Sequence, residues 1–210
     1  MKKGLIVFAR EPVPGLVKTR LATALGNQAA ADLYEIMLQD VLNGCRKLDG
    51  IDAVVFWECA DERVPHLAEK YRCSSRRQIS GELGQRMQEA FEEMFAEGCD
   101  ICCIIGSDAP DLPLSYILEA YRLLEEERTD VVFGPASDGG YYLLGLCRML
   151  PQLFSNIPWS SATVLEASLA AARHSGSTTA LLPEWQDIDT VEDLSAFHER
   201  NRLSESGDPT

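Results

Sequence analysis

Six short, unbroken apolar runs, each followed by a longer amphipathic or polar stretch, leave this chain few architectures. The runs are Leu5–Ala9, Ala53–Trp57, Ile101–Ile105, Val131–Gly134, Tyr141–Leu146 and Thr178–Leu182. The amphipathic windows are Ala29–Arg46, Glu62–Tyr71, Leu83–Glu97, Ser115–Glu127, Ala162–His174 and Val191–Arg202. A strand on a half-exposed sheet alternates apolar and polar residues, whereas a continuous apolar run belongs to a strand covered on both faces. Such strands alternating with helices predict a three-layer α/β/α protein with a mostly parallel central sheet, a Rossmann-like arrangement. The chain has 210 residues, enough to bury roughly 70% of its unfolded surface in one core. One domain over 1–203 is expected, with the polar segment 204–210 as a loose tail.

The charge balance removes whole classes of function. Lys and Arg number 19 against 33 Asp and Glu, a formal net charge of −14. A surface that acidic repels phosphate backbones and anionic headgroups, so nucleic acid and membrane surfaces are not expected partners. There is no run of about 18 apolar residues to span a bilayer, and Arg10 and Glu11 interrupt the first apolar run too early for a secretory leader. Seven cysteines are an odd number in a chain that needs no staples, which points to reduced thiols and a cytoplasmic location. Cys99-x-x-Cys102-Cys103 leads into a strand with no second pair to complete four ligands, so it reads as buried thiols. Glu125-Glu126-Glu127 reads as a solvated helix end.

In open α/β sheets ligands bind beyond the carboxyl ends of the strands, so the segments after each run carry the functional information. The first is Ala9-Arg10-Glu11-Pro12-Val13-Pro14-Gly15-Leu16-Val17-Lys18-Thr19-Arg20-Leu21. Five of the nineteen cations (Lys2, Lys3, Arg10, Lys18 and Arg20) fall in the first twenty residues, against one acid. Pro12, Pro14 and Gly15 make a stiff turn that lets backbone approach a ligand. Lys18 and Arg20 then stand near the start of a helix, where amide groups and the helix dipole favour an anion. A phosphate-bearing ligand fits this loop, although Val17 rules out a Walker loop.

The acids follow later strands. Asp108, after Ile101–Ile105, sits where a buried strand's end makes a carboxylate costly without a cation. It is the expected first ligand of Mg²⁺ or Mn²⁺, which one or two carboxylates plus phosphate oxygens commonly hold. Asp111 is expected to cap the helix that Pro113 helps to begin. Asp138, before Gly139-Gly140, is either a turn residue or a site carboxylate, and the position beside a strand end favours the site. Asp189, with Glu192 three residues on, has the spacing of a capping box. Asp187 and Asp189 share one side of an extended segment, and either can complete a metal site with Asp108.

Taken in order, these segments resemble a known family. Phe8-Ala9-Arg10-x-Pro-x-Pro-Gly15-x-x-Lys18-Thr19-Arg20-Leu21 is followed by Gly81-x-Leu83-Gly84-x-Arg86-Met87 and Gly106-Ser107-Asp108-x-Pro110-Asp111-Leu112. Asp138-Gly139-Gly140-Tyr141-Tyr142, Trp159-Ser160 and Asp187-Ile188-Asp189-Thr190-x-Glu192-Asp193-Leu194 complete the series. Over nearly its whole length the chain resembles the small bacterial glycosyltransferases related to 2-phospholactate guanylyltransferase, of DUF2064-like type, within the nucleotide-diphospho-sugar transferase superfamily. The resemblance implies a GT-A fold, a nucleotide across the first strands and a divalent metal at Asp108. It places phosphates on Arg10, Lys18 and Arg20, and the base near Gly81, Gly84 and Arg86. Gly15, Gly139, Gly140, Tyr141 and Trp159 join that expected binding set, Trp159 either stacking on the ligand or filling core space. At Ser107 the chain departs from the pattern by lacking the first acid of an Asp-x-Asp pair, so the second carboxylate must come from elsewhere.

The expected activity is metal-dependent transfer from a nucleotide-activated donor to a small-molecule acceptor, with Asp108, Lys18 and Asp138 as the catalytic candidates. Glycosyl transfer from a nucleotide-diphospho-sugar is the leading form. Nucleotidyl transfer onto a phosphorylated acceptor and a non-catalytic nucleotide-binding role are the alternatives. A homodimer is among the expected assemblies.

Overall fold

The computed structural model describes residues 1–125 and 129–205, and in it the apolar runs become neighbours in one seven-stranded sheet. In chain order the elements are β1 (Lys3–Arg10), α1 (Thr19–Leu25), α2 (Asn27–Cys45), β2 (Ile51–Glu58), α3 (Val64–Tyr71), β3 (Ser74–Arg77) and α4 (Leu83–Ala96). β4 (Ile101–Gly106), α5 (Leu114–Glu125), β5 (Val131–Pro135), β6 (Tyr141–Leu146), α6 (Val164–His174), β7 (Thr179–Leu181) and α7 (Val191–Glu205) follow. The strand order is β3-β2-β1-β4-β6-β5-β7. Only β6 runs antiparallel to its neighbours, pairing Cys103 and Val132 with Gly145 on its two sides. It reverses because a tight turn joins it to β5, with Ala136 donating to the Gly140 carbonyl at 3.0 Å. The three-layer, mostly parallel α/β/α arrangement is therefore the one the apolar runs predict.

The continuous runs are buried on both faces, as their composition requires. Leu5, Ile6 and Val7 of β1 are all 0% exposed. Successive side chains of a strand point to opposite faces, so Leu5 and Val7 join Leu38, Trp57 and Tyr121 in one core. Ile6 joins Phe56, Phe91, Met94, Phe133 and Leu144 in the other. Each fully buried side chain of this size contributes about 1.5–3 kcal/mol relative to exposure. The same burial accounts for the thiols: Cys99, Cys102 and Cys103 are free and buried, and burial raises their pKa values.

Apart from shifts of one or two residues at element ends, three features differ from the sequence reading. The edge strand β3, Ser-Ser-Arg-Arg, has no apolar run to announce it, because it is paired on one side only. A short α1 precedes α2, the two joined at Gly26 with φ 82. α7 continues through Ser204 and Glu205, two positions assigned to the tail. Positions 206–210 of that tail, with Glu126 and Glu127, lie outside the described residues. Among the described residues no helix is long and apolar enough to cross a membrane.

Candidate active site

β1 and β4 run parallel with Phe8 beside Gly106, so the loops after them leave the same edge of the sheet. The segment 187–189 returns to that edge just before α7. It is pinned there by Ile188, which is 0% exposed among Leu21, Ala30 and Met37 and donates its N–H to the Asp108 carbonyl at 3.0 Å. Between the loops lies Lys18. Its ammonium is 2.7 Å from an Asp108 oxygen and 2.7 Å from an Asp189 oxygen. Burial opposes its charge, but the two carboxylates outweigh burial and hold its pKa above the ordinary value. Lys18 caps α1 in the left-handed conformation, φ 46 and ψ 46, which costs a non-glycine residue about 1–3 kcal/mol.

Asp189 is available because another pair starts the helix. Thr190 and Asp193 form the reciprocal cap: Asp193 accepts from Thr190 N at 2.8 Å and Asp189 N at 3.1 Å, and Asp193 N donates to the Thr190 hydroxyl. Those hydrogen bonds outweigh burial and hold the Asp193 carboxyl below its usual value. The expected Asp189–Glu192 box is thus displaced by one residue, since Thr-x-x-Asp satisfies the same spacing. Asp187 lies beside the cluster, where burial and the charges of Asp189 and Asp108 push its carboxyl up to about 6. The negative charge here exceeds what Lys18 compensates.

The donors are hard oxygens, which suit Mg²⁺ or Mn²⁺. Among the described residues no three His, Cys, Asp or Glu side chains are arranged to enclose an ion by themselves. Mg²⁺ does not require that, because it is usually held by one or two carboxylates together with phosphate oxygens and water. Asp108 with Asp189 meets that description, and Asp187 is the adjoining acid.

A second feature lies along the edge toward β2. Glu58 accepts from Arg10 Nε at 3.0 Å and from Arg86 Nη1 at 2.8 Å. Buried Gln78 accepts from the same Arg86 nitrogen at 2.8 Å while donating to the carbonyls of Phe56 and Ala9. Glu58, Gln78 and Arg86, with Cys59, Arg77, Ile79, Ser80 and Gly81, line a pocket of about 220 Å³. The two features share a strut that gave no signal in the sequence. The Tyr34 hydroxyl accepts from Arg10 N at 2.9 Å and lies 2.8 Å from the Ser107 hydroxyl. Burial, then the charge of Asp108, pushes its pKa up to about 12.

The other candidates divide. Of the three cations assigned to phosphate, Arg10 and Lys18 are closely paired, while Arg20, 75% exposed, makes a longer ion pair with Asp189 at 3.7 Å. Gly15, at φ 84, gives the first loop its turn. Asp138 spends one oxygen on Gly140 N at 2.9 Å, the turn role, while its charge still reaches Asp187. Gly139 has φ 89 and lies hard against the Ala162 carbonyl. Tyr141 turns inward onto Phe133 with its hydroxyl buried, because the first residue of β6 faces the core under α6. Trp159 packs on Gly84, whose missing Cβ would meet Trp159 Nε1 at 2.5 Å. Gly84 and Trp159 therefore have a packing explanation. Asp111 does not cap α5: it anchors α7, accepting from Arg200 Nε at 3.1 Å and Trp185 Nε1 at 3.3 Å.

Comparison with known proteins places the chain in a family and identifies its fold. The family model described as an uncharacterized protein conserved in bacteria, DUF2064, matches residues 41–161. That is more than half of the chain. The chain belongs to the DUF2064 family. A candidate nucleotide-diphospho-sugar transferase from Desulfovibrio desulfuricans superposes on this DUF2064 protein with a TM-score of 0.89 at 33% identity, covering 95% of this chain and 87% of the other. A cytidylyltransferase from Leptospira borgpetersenii gives 0.60 at 17% identity over 94% and 85%. A 4-diphosphocytidyl-2C-methyl-D-erythritol synthase from Anaerococcus prevotii gives 0.61 at 12% over 95% and 97%. The last two likenesses establish the shared fold alone. No curated protein matches the chain.

Proposed function

We propose that this DUF2064 protein transfers a group from a nucleotide-activated donor, with glycosyl transfer from a nucleotide-diphospho-sugar as the reaction. The observation that carries the reading is the convergence of Asp108, Lys18 and Asp189 at the carboxyl ends of β1 and β4, one loop away from the Glu58–Arg86 pocket. The pocket is the proposed seat of the base, and the acids with Arg20 the proposed seat of the diphosphate. Asp108 and Asp189 would hold Mg²⁺ or Mn²⁺, which supplies charge neutralisation at the phosphate that leaves. The chain's own part is electrostatic and positional: Arg20 faces the diphosphate, and Tyr34 keeps the first loop and Asp108 in register.

The first loop favours a diphosphate over a triphosphate. Pro12 and Pro14 have no N–H, while Glu11, Val13 and Leu16 donate theirs within the fold. A triphosphate cradle needs several free amides, and this loop offers few. The test is a thermal-shift panel of nucleotides and nucleotide sugars with and without Mn²⁺, followed by anion-exchange separation of the products of the stabilising donor. A ligand at 100 times its Kd adds about 2.7 kcal/mol. Nucleoside diphosphate released from a nucleotide sugar supports the proposal. Pyrophosphate released from a triphosphate, with every nucleotide sugar inert, assigns nucleotidyl transfer instead.

A further inference from the structure

The Lys18 ammonium stands where a cation between the two site carboxylates would stand. It is 2.7 Å from Asp108 Oδ1 and 2.7 Å from Asp189 Oδ1. Its side chain is 4% exposed, whereas each carboxylate is 42% exposed. The acids are therefore open to solvent and ligand while their counter-ion is held beneath them. We propose that Lys18 is the resident counter-ion of this pair and suppresses binding of a free divalent cation until ligand phosphates arrive to take up its charge. The inference rests on the transferase reading given above and adds an order of events to it: the metal enters with the nucleotide.

Three observations support the order. A dication on Asp108 and Asp189 would lie within a few ångströms of the ammonium, and like charges at that separation repel strongly in a partly buried site. The cation next nearest to Asp189 is Arg20, at 3.7 Å and 75% exposed, so it cannot replace Lys18 at both carboxylates. Lys18 also has a route to phosphate, since it caps α1 at the mouth of the cationic loop, on a stem of four flexible carbons that delivers a point charge over a range of positions. Phosphate oxygens that accept from the ammonium relieve its hold on the acids and bring oxygen ligands for the metal in one step.

The experiment titrates Mn²⁺ into the full chain and follows free Mn²⁺ by electron paramagnetic resonance. Wild type, Lys18→Met and Lys18→Arg are compared, each alone and with ADP, CDP, GDP or UDP. Wild type is expected to bind Mn²⁺ alone at least about tenfold more weakly than Lys18→Met, an ordinary size for coupling between two bound species. Lys18→Arg retains the charge and should resemble wild type. Should Lys18→Met fail to fold, Lys18→Gln, checked by its melting transition, replaces it. Mn²⁺ affinity in the neutral variant within twofold of wild type, or weaker, overturns the inference. If wild type binds Mn²⁺ with a diphosphate in that case, the transferase reading survives. If wild type binds no Mn²⁺ with any diphosphate, both fall.

Discussion

Removing the Tyr34 hydroxyl should loosen the candidate site without touching any residue that faces a ligand. In Tyr34→Phe the ring remains in the small cluster with Val17 and Ala31. Two groups lose their partner: Arg10 N, at 2.9 Å, and the Ser107 hydroxyl, at 2.8 Å. An orphaned buried polar group costs about 1–3 kcal/mol. Ser107 is 2% exposed and bears that cost, whereas Arg10 is at the surface, where water can replace the hydroxyl. The expected loss is about 2 kcal/mol, the middle of that range. In a chain of this size it lowers Tm by about 4–8 °C. Urea unfolding should show the midpoint shift at constant slope. A double-mutant cycle with Ser107→Ala should recover about 1 kcal/mol of coupling, because the second substitution removes the orphan. Nucleotide affinity should fall as well, since Tyr34 ties the first loop to the residue preceding Asp108. Stability within about 0.5 kcal/mol of wild type, the range of ordinary surface substitutions, together with unchanged affinity, would refute the strut.

Two further predictions follow from the electrostatics. The Asp187 carboxyl is raised to about 6, so the folded state favours its neutral form and stability falls as pH rises from about 4 to about 6. Asp187→Asn should therefore melt higher than wild type at pH 7.5 in EDTA, with the advantage gone near pH 4; an equal advantage at both values contradicts the cause given. Arg20→Ala should weaken binding of nucleoside diphosphate by about 1.5 kcal/mol, the value of a charge-assisted hydrogen bond, and leave nucleoside binding unchanged; equal losses for both would make Arg20 a shaping residue.

How far the sequence reveals this protein depends on how local each cause is. The sheet is legible because burial on both faces demands apolar runs, and Leu5–Val7 at 0% exposure meets that demand. β3 is illegible for the same reason in reverse: an edge strand of Ser-Ser-Arg-Arg is not required to be apolar. Asp108 is legible because an acid at the end of a buried strand needs a cation, and Lys18 is that cation in this structure. The cap of α7 is ambiguous because Asp189-x-x-Glu192 and Thr190-x-x-Asp193 have the same spacing. The chain uses the second, which leaves Asp189 rather than Asp187 against Lys18. Asp111 and Arg200 are separated by 89 positions, and Tyr34 and Ser107 by 73. No periodicity or motif encodes a pairing over that distance.

The central claim is that Asp108 serves a metal-bound phosphate ligand and not merely the fold, and isothermal titration of Asp108→Asn addresses it most directly. The variant keeps Asp189 as the partner of Lys18 and should melt close to wild type in EDTA. It should lose the Mn²⁺-dependent part of nucleotide or nucleotide-sugar binding, at least tenfold in Kd, or about 1.4 kcal/mol. Affinity within twofold of wild type in the presence of Mn²⁺ would contradict the account and remove Asp108 from the site.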